Sequence, residues 1–360
     1  MLFLRIFRNI SKLSNPQINL NFSQCRQLRK ITRPIIKPEQ YAVTTQKPIK
    51  STEIQSESYT NHLEKVHEPE DQLPALPKAE KDYVPTFNLA AYVNKSECLQ
   101  QLLKLGVNLN SIEKRKGLAE FVLKLDFEKN IKPHLMFLHD LGVPPKQFGE
   151  LITKNPLIFK ENLDDLQVRV NYLQAKKFND HQITRIVTKN PYWLMFSTKR
   201  IDKRLGYFQE NFKLSGDDVR FLAAKQPRLI TYSMEHIRKN MFCITEEMGF
   251  ELEELRCLLL NKPKLWMLNS DELIERFAYA HNEMKLSHEM IVQFPEILLS
   301  REFRIRERHE FLKTLGRAQY DPHKDLYVSP KTLVEGNDRD FVVNVAKCDM
   351  EMYEMFLKTR

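Results

Sequence analysis

Apolar positions along this chain fall into paired amphipathic stretches that restart at a steady interval. A short break, polar or glycine-containing, closes each pair at Gly106, Gly142, Lys177, Lys213, Gly249, Lys285 and Gly316, with successive steps along the chain of 36, 35, 36, 36, 36 and 31. So regular a period marks stacked supersecondary units. Glycine at four of these markers, just past an apolar stripe, suits a helix that ends in a left-handed residue, whereas lysine at the other three predicts a plainer stop.

A second register keeps step with the first. Pro156, Pro191, Pro227, Pro263 and Pro295 follow their markers at offsets of 14, 14, 14, 14 and 10. Counting back from the first four prolines, offsets 8, 5 and 4 are apolar, as in Ile183, Ile186 and Val187, which is one face of a helix of about three turns. Proline cannot continue the hydrogen-bond ladder and restricts the residue before it, so that helix stops there. Two large apolar residues follow two and three positions later: Ile158 and Phe159, Trp193 and Leu194, Leu229 and Ile230, Leu265 and Trp266, Ile297 and Leu298. They predict a tight turn plugged into the core. Offsets 10, 14 and 17 after the proline then trace a second amphipathic helix, for example Ile201, Leu205 and Phe208. Each unit is helix, proline-broken turn, helix, and neither helix buries its stripe without the next unit. The expected architecture is an all-α helical-repeat solenoid over residues 83–316. Residues 317–360 form a cap, with one last helix from about Asp338 to Leu357. The first unit departs from the pattern, with Lys116 where its proline would stand.

Charge changes the picture at the N-terminus. The net charge is +9, but residues 1–38 hold eight Lys or Arg and no acid. Arg-rich, Ser-containing and acid-free, with Leu2, Phe3, Leu4, Ile6, Phe7 and Ile10 able to share a helix side, this stretch reads as a mitochondrial transit peptide, the alternative being a basic arm. Residues 39–82 carry nine acids and five bases among Pro, Gln, Ser and Thr, and read as a disordered linker. That leaves +9 − 8 + 4 = +5 on residues 83–360. Bulk charge is therefore a weak argument for nucleic acid. No apolar run reaches the roughly 20 residues of a membrane span. Five scattered cysteines, Cys25, Cys98, Cys243, Cys257 and Cys348, fit neither a zinc site nor a disulfide framework.

Candidate chemistry is sparse. Nine glycines, mostly at repeat breaks, leave no phosphate loop, and no histidine pair has metal-ligand spacing, so no enzyme, cofactor or metal is expected. The informative position is offset 13 after each repeat proline: Arg169, Arg204, Asn240, Arg276 and Arg308. On a helical wheel it falls beside the apolar stripe, between it and the apolar or aromatic offset 16 (Tyr172, Tyr207, Cys243, Tyr279 and Phe311), so the arginine needs a partner. That partner is either a carbonyl or acid of the adjacent unit, or a phosphate, which a guanidinium binds in a bidentate way. More surface-like cations add to these: Lys199, Arg200 and Lys203; Arg238 and Lys239; Arg301, Arg304 and Arg306.

The period, the proline followed by two large apolar residues and the arginine at offset 13 together resemble the mitochondrial transcription termination factor (mTERF) repeat. The stretches Leu125 to Val143 and Arg308 to Pro322 sharpen that resemblance, which covers residues 88–360. It implies a left-handed superhelix in the mitochondrial matrix that binds mitochondrial DNA near the promoter region as a monomer and represses transcription, with a role in large mitoribosomal subunit assembly and with mitoribosomal or transcription proteins as further partners. It also implies phosphate contacts by Arg169, Arg204, Arg276 and Arg308. A purely RNA-binding assembly factor acting on ribosomal RNA is the second possibility, and aromatic stacking from offset 16 would suit it. The pentatricopeptide array shares the period but does not call for the proline turn.

Overall fold

Each repeat proline acts on the residue before it. Asn155, Asn190, Gln226 and Lys262 all leave the helical region, at φ between −138° and −135° and ψ between 69° and 82°, because the proline ring crowds the preceding backbone. The computed structural model describes residues 88–359. The transit-peptide and linker expectations for residues 1–38 and 39–82, and Cys25, lie outside them.

Within that span every regular unit is helix, tight turn, helix. The first helices are Phe148–Lys154, Asp180–Lys189, Gly216–Lys225, Leu252–Asn261 and His288–Gln293. The turn is one 3-10 segment in the units of Pro156, Pro191 and Pro263, and a short α turn in the units of Pro227 and Pro295. The second helices are Leu163–Ala175, Thr198–Asn211, Met234–Phe242, Ser270–Ala278 and Glu302–Thr314, of which the third and fourth run on into a wider π turn. Asn162, Ser197, Ser233 and Asn269 start four of them by accepting hydrogen bonds from otherwise orphaned backbone N–H groups.

The stripes read from sequence are the core. All ten plug residues after the prolines are buried, as are the first-helix triads from Phe148, Leu151 and Ile152 to Leu255, Leu258 and Leu259. Of the second-helix stripe, only Met241 stays half exposed. Among the described residues no helix is long and apolar enough to cross a membrane.

Two details differ from expectation, and the irregular first unit shows what stands in place of its missing proline. The lysine markers are not plain stops: Lys177, Lys213 and Lys285 take φ of 64°, 49° and 57°, alongside Gly106, Gly142, Gly249 and Gly316 at 66° to 86°. The carbonyl caps at the helix end require the left-handed residue whatever its side chain. In the cap, the expected single helix is broken: Asp338–Asp340 and the π turn Phe341–Ala346 end at Lys347 (φ 51°), and Met350–Lys358 starts afresh. In the first unit, Gly117 (φ 77°) and the short helix Leu118–Leu123 replace the proline turn.

Candidate nucleic-acid interface

Consecutive second helices touch through two fixed positions, the aromatic at offset 16 from one proline and the residue at offset 11 from the next. Tyr172 Oη donates to Asp202 at 2.7 Å, Arg238 lies over the Tyr207 ring at 5.7 Å, and Arg306 over the Tyr279 ring at 4.6 Å. Burial, and then the Asp202 carboxylate, hold the Tyr172 hydroxyl in its neutral form well above the usual range. Burial likewise raises Tyr207, against the pull of Arg238. These tyrosines are helix-to-helix packing.

The offset-13 arginines all turn into the next unit. Arg204, 5% exposed, donates through Nη1 to Ile230 O at 2.9 Å and Tyr232 O at 2.5 Å, the third and fifth carbonyls after Pro227. Arg308, fully buried, does the same to Leu333 O at 3.1 Å and Glu335 O at 2.9 Å after Pro330, and its Nη2 reaches Asp338 at 2.8 Å. Arg169 donates to Leu194 O and to Glu161, and Arg276 to Leu298 O at 3.2 Å and Glu272 at 2.5 Å. Asn240, which breaks the run of cations, keeps the role: its Nδ2 donates to Leu268 O at 2.8 Å, the fifth carbonyl after Pro263. The irregular first unit puts His134 there, with Nε2 2.9 Å from Glu161 O. Each proline turn thus presents carbonyls that no helix satisfies, and the preceding unit supplies the donor. The unit of His134 lacks the proline from which the offset is counted, but His134 stands eight residues before Gly142 as Arg169 does before Lys177, so the marker register was the signal that could have found it.

A second periodic contact lies outside the sequence pattern altogether. Seven positions before the proline, Thr184 Oγ1 donates to Leu141 O at 2.7 Å, Arg220 Nη1 to Lys176 O at 3.2 Å, and His288 Nε2 lies 2.7 Å from Met248 O, each the carbonyl just before a marker. At the same position Gly149 packs so close that a Cβ would collide with Leu105 O. Four different residue types at one position leave no pattern to read.

The surface cations divide by unit. Lys199, Arg200, Lys203, Arg238 and Lys239 are exposed on the second helices of the Pro191 and Pro227 units. Lys199 and Lys203 enter none of the ion pairs found among the described residues; Arg200 lies over the Phe196 ring at 4.5 Å, and Lys239 is 3.8 Å from Asp271. Toward the C-terminus the cations are more engaged. Arg304 donates to Gly336 O at 2.5 Å and Arg306 pairs with Glu302, while Arg301 is exposed beside Glu272, Glu275 and Glu302. Between these groups the second helix of the Pro263 unit exposes Asp271, Glu272 and Glu275, and a cleft of about 610 Å³ beyond it is lined by Glu275, Glu283, Glu302 and Glu310 with Arg306 and Lys313. The basic surface is concentrated in two units. Among the described residues no group of His, Cys, Asp and Glu could hold a metal ion.

The mTERF family model matches residues 89–342. The chain is 65% identical over 278 residues to "Transcription termination factor 3, mitochondrial" of Drosophila melanogaster, covering 77% of this chain and 78% of that protein. It is 44% identical over 276 residues to the Mus musculus protein of the same name, with 77% and 67% covered. To "Transcription termination factor 1, mitochondrial" of Homo sapiens it is 26% identical over 202 residues, with 53% and 49% covered.

Proposed function

This chain belongs to the mTERF family, and on that premise we propose that it is a mitochondrial nucleic-acid-binding regulator of transcription that performs no catalysis. The observation that carries the reading is the exposed group Lys199, Arg200 and Lys203, with Arg238 and Lys239 on the neighbouring second helix. Lysines whose charge is not spent on internal pairs release counterions when they meet phosphates. Arg301 offers an exposed cation at the other side of the acidic unit, whereas Arg304 is half-buried and held by Gly336 O. Arg169, Arg204, Arg276 and Arg308 act on binding indirectly in this reading, by holding the second helices in register.

In its finer form the proposal has the protein work in the matrix as a monomer, on mitochondrial DNA near the promoter region, where it lowers transcription, and on ribosomal RNA during large-subunit assembly. The tyrosines packed between helices leave little for base stacking, which favours backbone contact and hence the DNA reading over a purely RNA-binding one. Crosslinking the tagged protein in mitochondria and sequencing both bound DNA and bound RNA tests it. Enrichment of promoter-proximal DNA supports the reading; recovery of ribosomal RNA alone replaces it with the assembly-factor reading, and recovery of neither overturns both.

A further inference from the structure

The proline turns form a row of their own. Turns of successive units touch: Asn155 Nδ2 donates to Pro191 O at 3.2 Å, Asn190 Nδ2 to Pro227 O at 3.3 Å, and Tyr192 Oη to Lys154 O at 2.6 Å. The residues from two before to one after each repeat proline include Lys154, Lys189, Lys225, Arg228, Lys262 and Lys264, against a single acid, Glu296. Three of these cations are spent internally: Lys154 on Glu150, Lys225 on Leu260 O and Asn261 O, and Lys262 on Glu296. The other three, Lys189, Arg228 and Lys264, are exposed, one on each of three consecutive units. Lys189 and Lys264 enter no hydrogen bond or ion pair found among the described residues. Arg228 only leans over the Tyr232 ring at 5.9 Å.

The opposite ends of the same first helices also carry acids. Their first turns hold Glu150, Asp180, Asp217, Asp218, Glu253 and Glu254. That edge is mixed in charge, since the exposed marker lysines Lys177, Lys213 and Lys285 stand beside these acids, Arg220 and Arg256 pair with Asp217 and Asp218, and Glu150 reaches along its short helix to Lys154.

We propose that the turn row is a second phosphate-binding edge, which takes one phosphodiester strand laid across the units of Pro191, Pro227 and Pro263 through Lys189, Arg228 and Lys264. Packed helices lie roughly 8–10 Å apart, so neighbouring turns do too. Each strand of a duplex advances about 3.4 Å of helix axis per nucleotide, so cations at that separation fall about every third phosphate along the axis. This inference rests on the nucleic-acid reading and goes beyond it by placing the ligand on the turns, which the second-helix cluster alone does not do.

The test is the salt dependence of binding to a duplex DNA and to a structured RNA. A triple variant, Lys189→Gln, Arg228→Gln and Lys264→Gln, is measured beside a charge-matched one on the other edge, Lys177→Gln, Lys213→Gln and Lys285→Gln. Removing three phosphate contacts lowers the slope of log K against log salt by roughly 2 to 2.7 in the turn variant. The marker-edge variant keeps the wild-type slope. Which ligand shows the loss says whether the strand is DNA or RNA. Equal losses in both variants overturn the proposal, since bulk charge then explains them. So does an unchanged turn variant when Lys199→Gln with Lys203→Gln weakens binding, a result that leaves the functional reading standing. Wild-type protein that binds neither ligand overturns both.

Discussion

A guanidinium inside a helical stack has five donors and no water to satisfy them, and a carbonyl at a proline turn has lost its helical partner. Each offset-13 residue supplies the missing donor, and the four arginines find acceptors in doing so, although Nε of Arg308 is buried without one. Arg204→Ala leaves Ile230 O and Tyr232 O without their donor, so it costs on the order of 1–3 kcal/mol by urea titration, and Arg204→Lys, which keeps a donor but loses the guanidinium plane over the Phe196 ring at 5.3 Å, recovers only part. The sequence located this position by its angle on the wheel. It could not say which group it faced, because the acceptor is a main-chain carbonyl that has no sequence signature. The left-handed lysines give the opposite sign. Lys213 sits at φ 49°, where a Cβ costs about 1–2 kcal/mol, so Lys213→Gly stabilises by up to about 1 kcal/mol after the extra entropy of glycine is deducted. His309 adds a pH dependence. It is buried, bonded through Nδ1 to Tyr320 Oη at 2.7 Å, and desolvation, helped by Lys313, lowers its pKa. The unfolded chain therefore takes up the proton first. Stability is lost as pH falls through the ordinary histidine range near 6.5, and a melt of His309→Gln against pH loses that part of the slope.

At the scale of the element, the proline turn decides the fold. The turn that carries Trp193 and Leu194 packs on the first helix of its own unit and on the turns of both neighbouring units, and Trp193 is 2% exposed. Trp193→Ala costs about 3–5 kcal/mol, and hydrogen exchange should show lost protection in the units on both sides as well as its own, since each unit is buried only by its neighbours. Element type and order were legible because apolar spacing and proline position are written at one residue per contact. Where that code lapsed, so did the reading. Lys347 breaks the cap helix without a glycine or proline to announce it, and the first unit makes its turn at Gly117 with no proline. The π turns at Cys243–Glu247 and Tyr279–Glu283 likewise have no mark in the sequence that would separate them from α-helix.

Across the whole molecule, burial separates cations held inside the stack, such as Arg204 and Arg308, from exposed ones such as Lys199 and Lys203. The repeat core lies within residues 88–359, so protein lacking residues 1–82 should melt at the temperature of the full chain; a large drop would show that the repeat boundary is misplaced. Net charge said little about the ligand because the +5 on residues 83–360 is an average over basic and acidic units. The sequence singled out the right second helices for exposed charge, Lys199 to Lys203 and Arg238 to Lys239, but it could not separate them from cations held internally. Burial makes that separation. The most direct measurement is nucleic-acid affinity against salt, beside thermal melts, for Arg204→Gln and for Lys199→Gln with Lys203→Gln. If buried arginines hold the stack and exposed lysines meet phosphates, the lysine variant loses roughly 1.5 from the salt slope with its melting temperature unchanged, while Arg204→Gln melts earlier and keeps its slope. A lowered slope in Arg204→Gln without a lowered melting temperature, and no change in the lysine variant, would contradict the account.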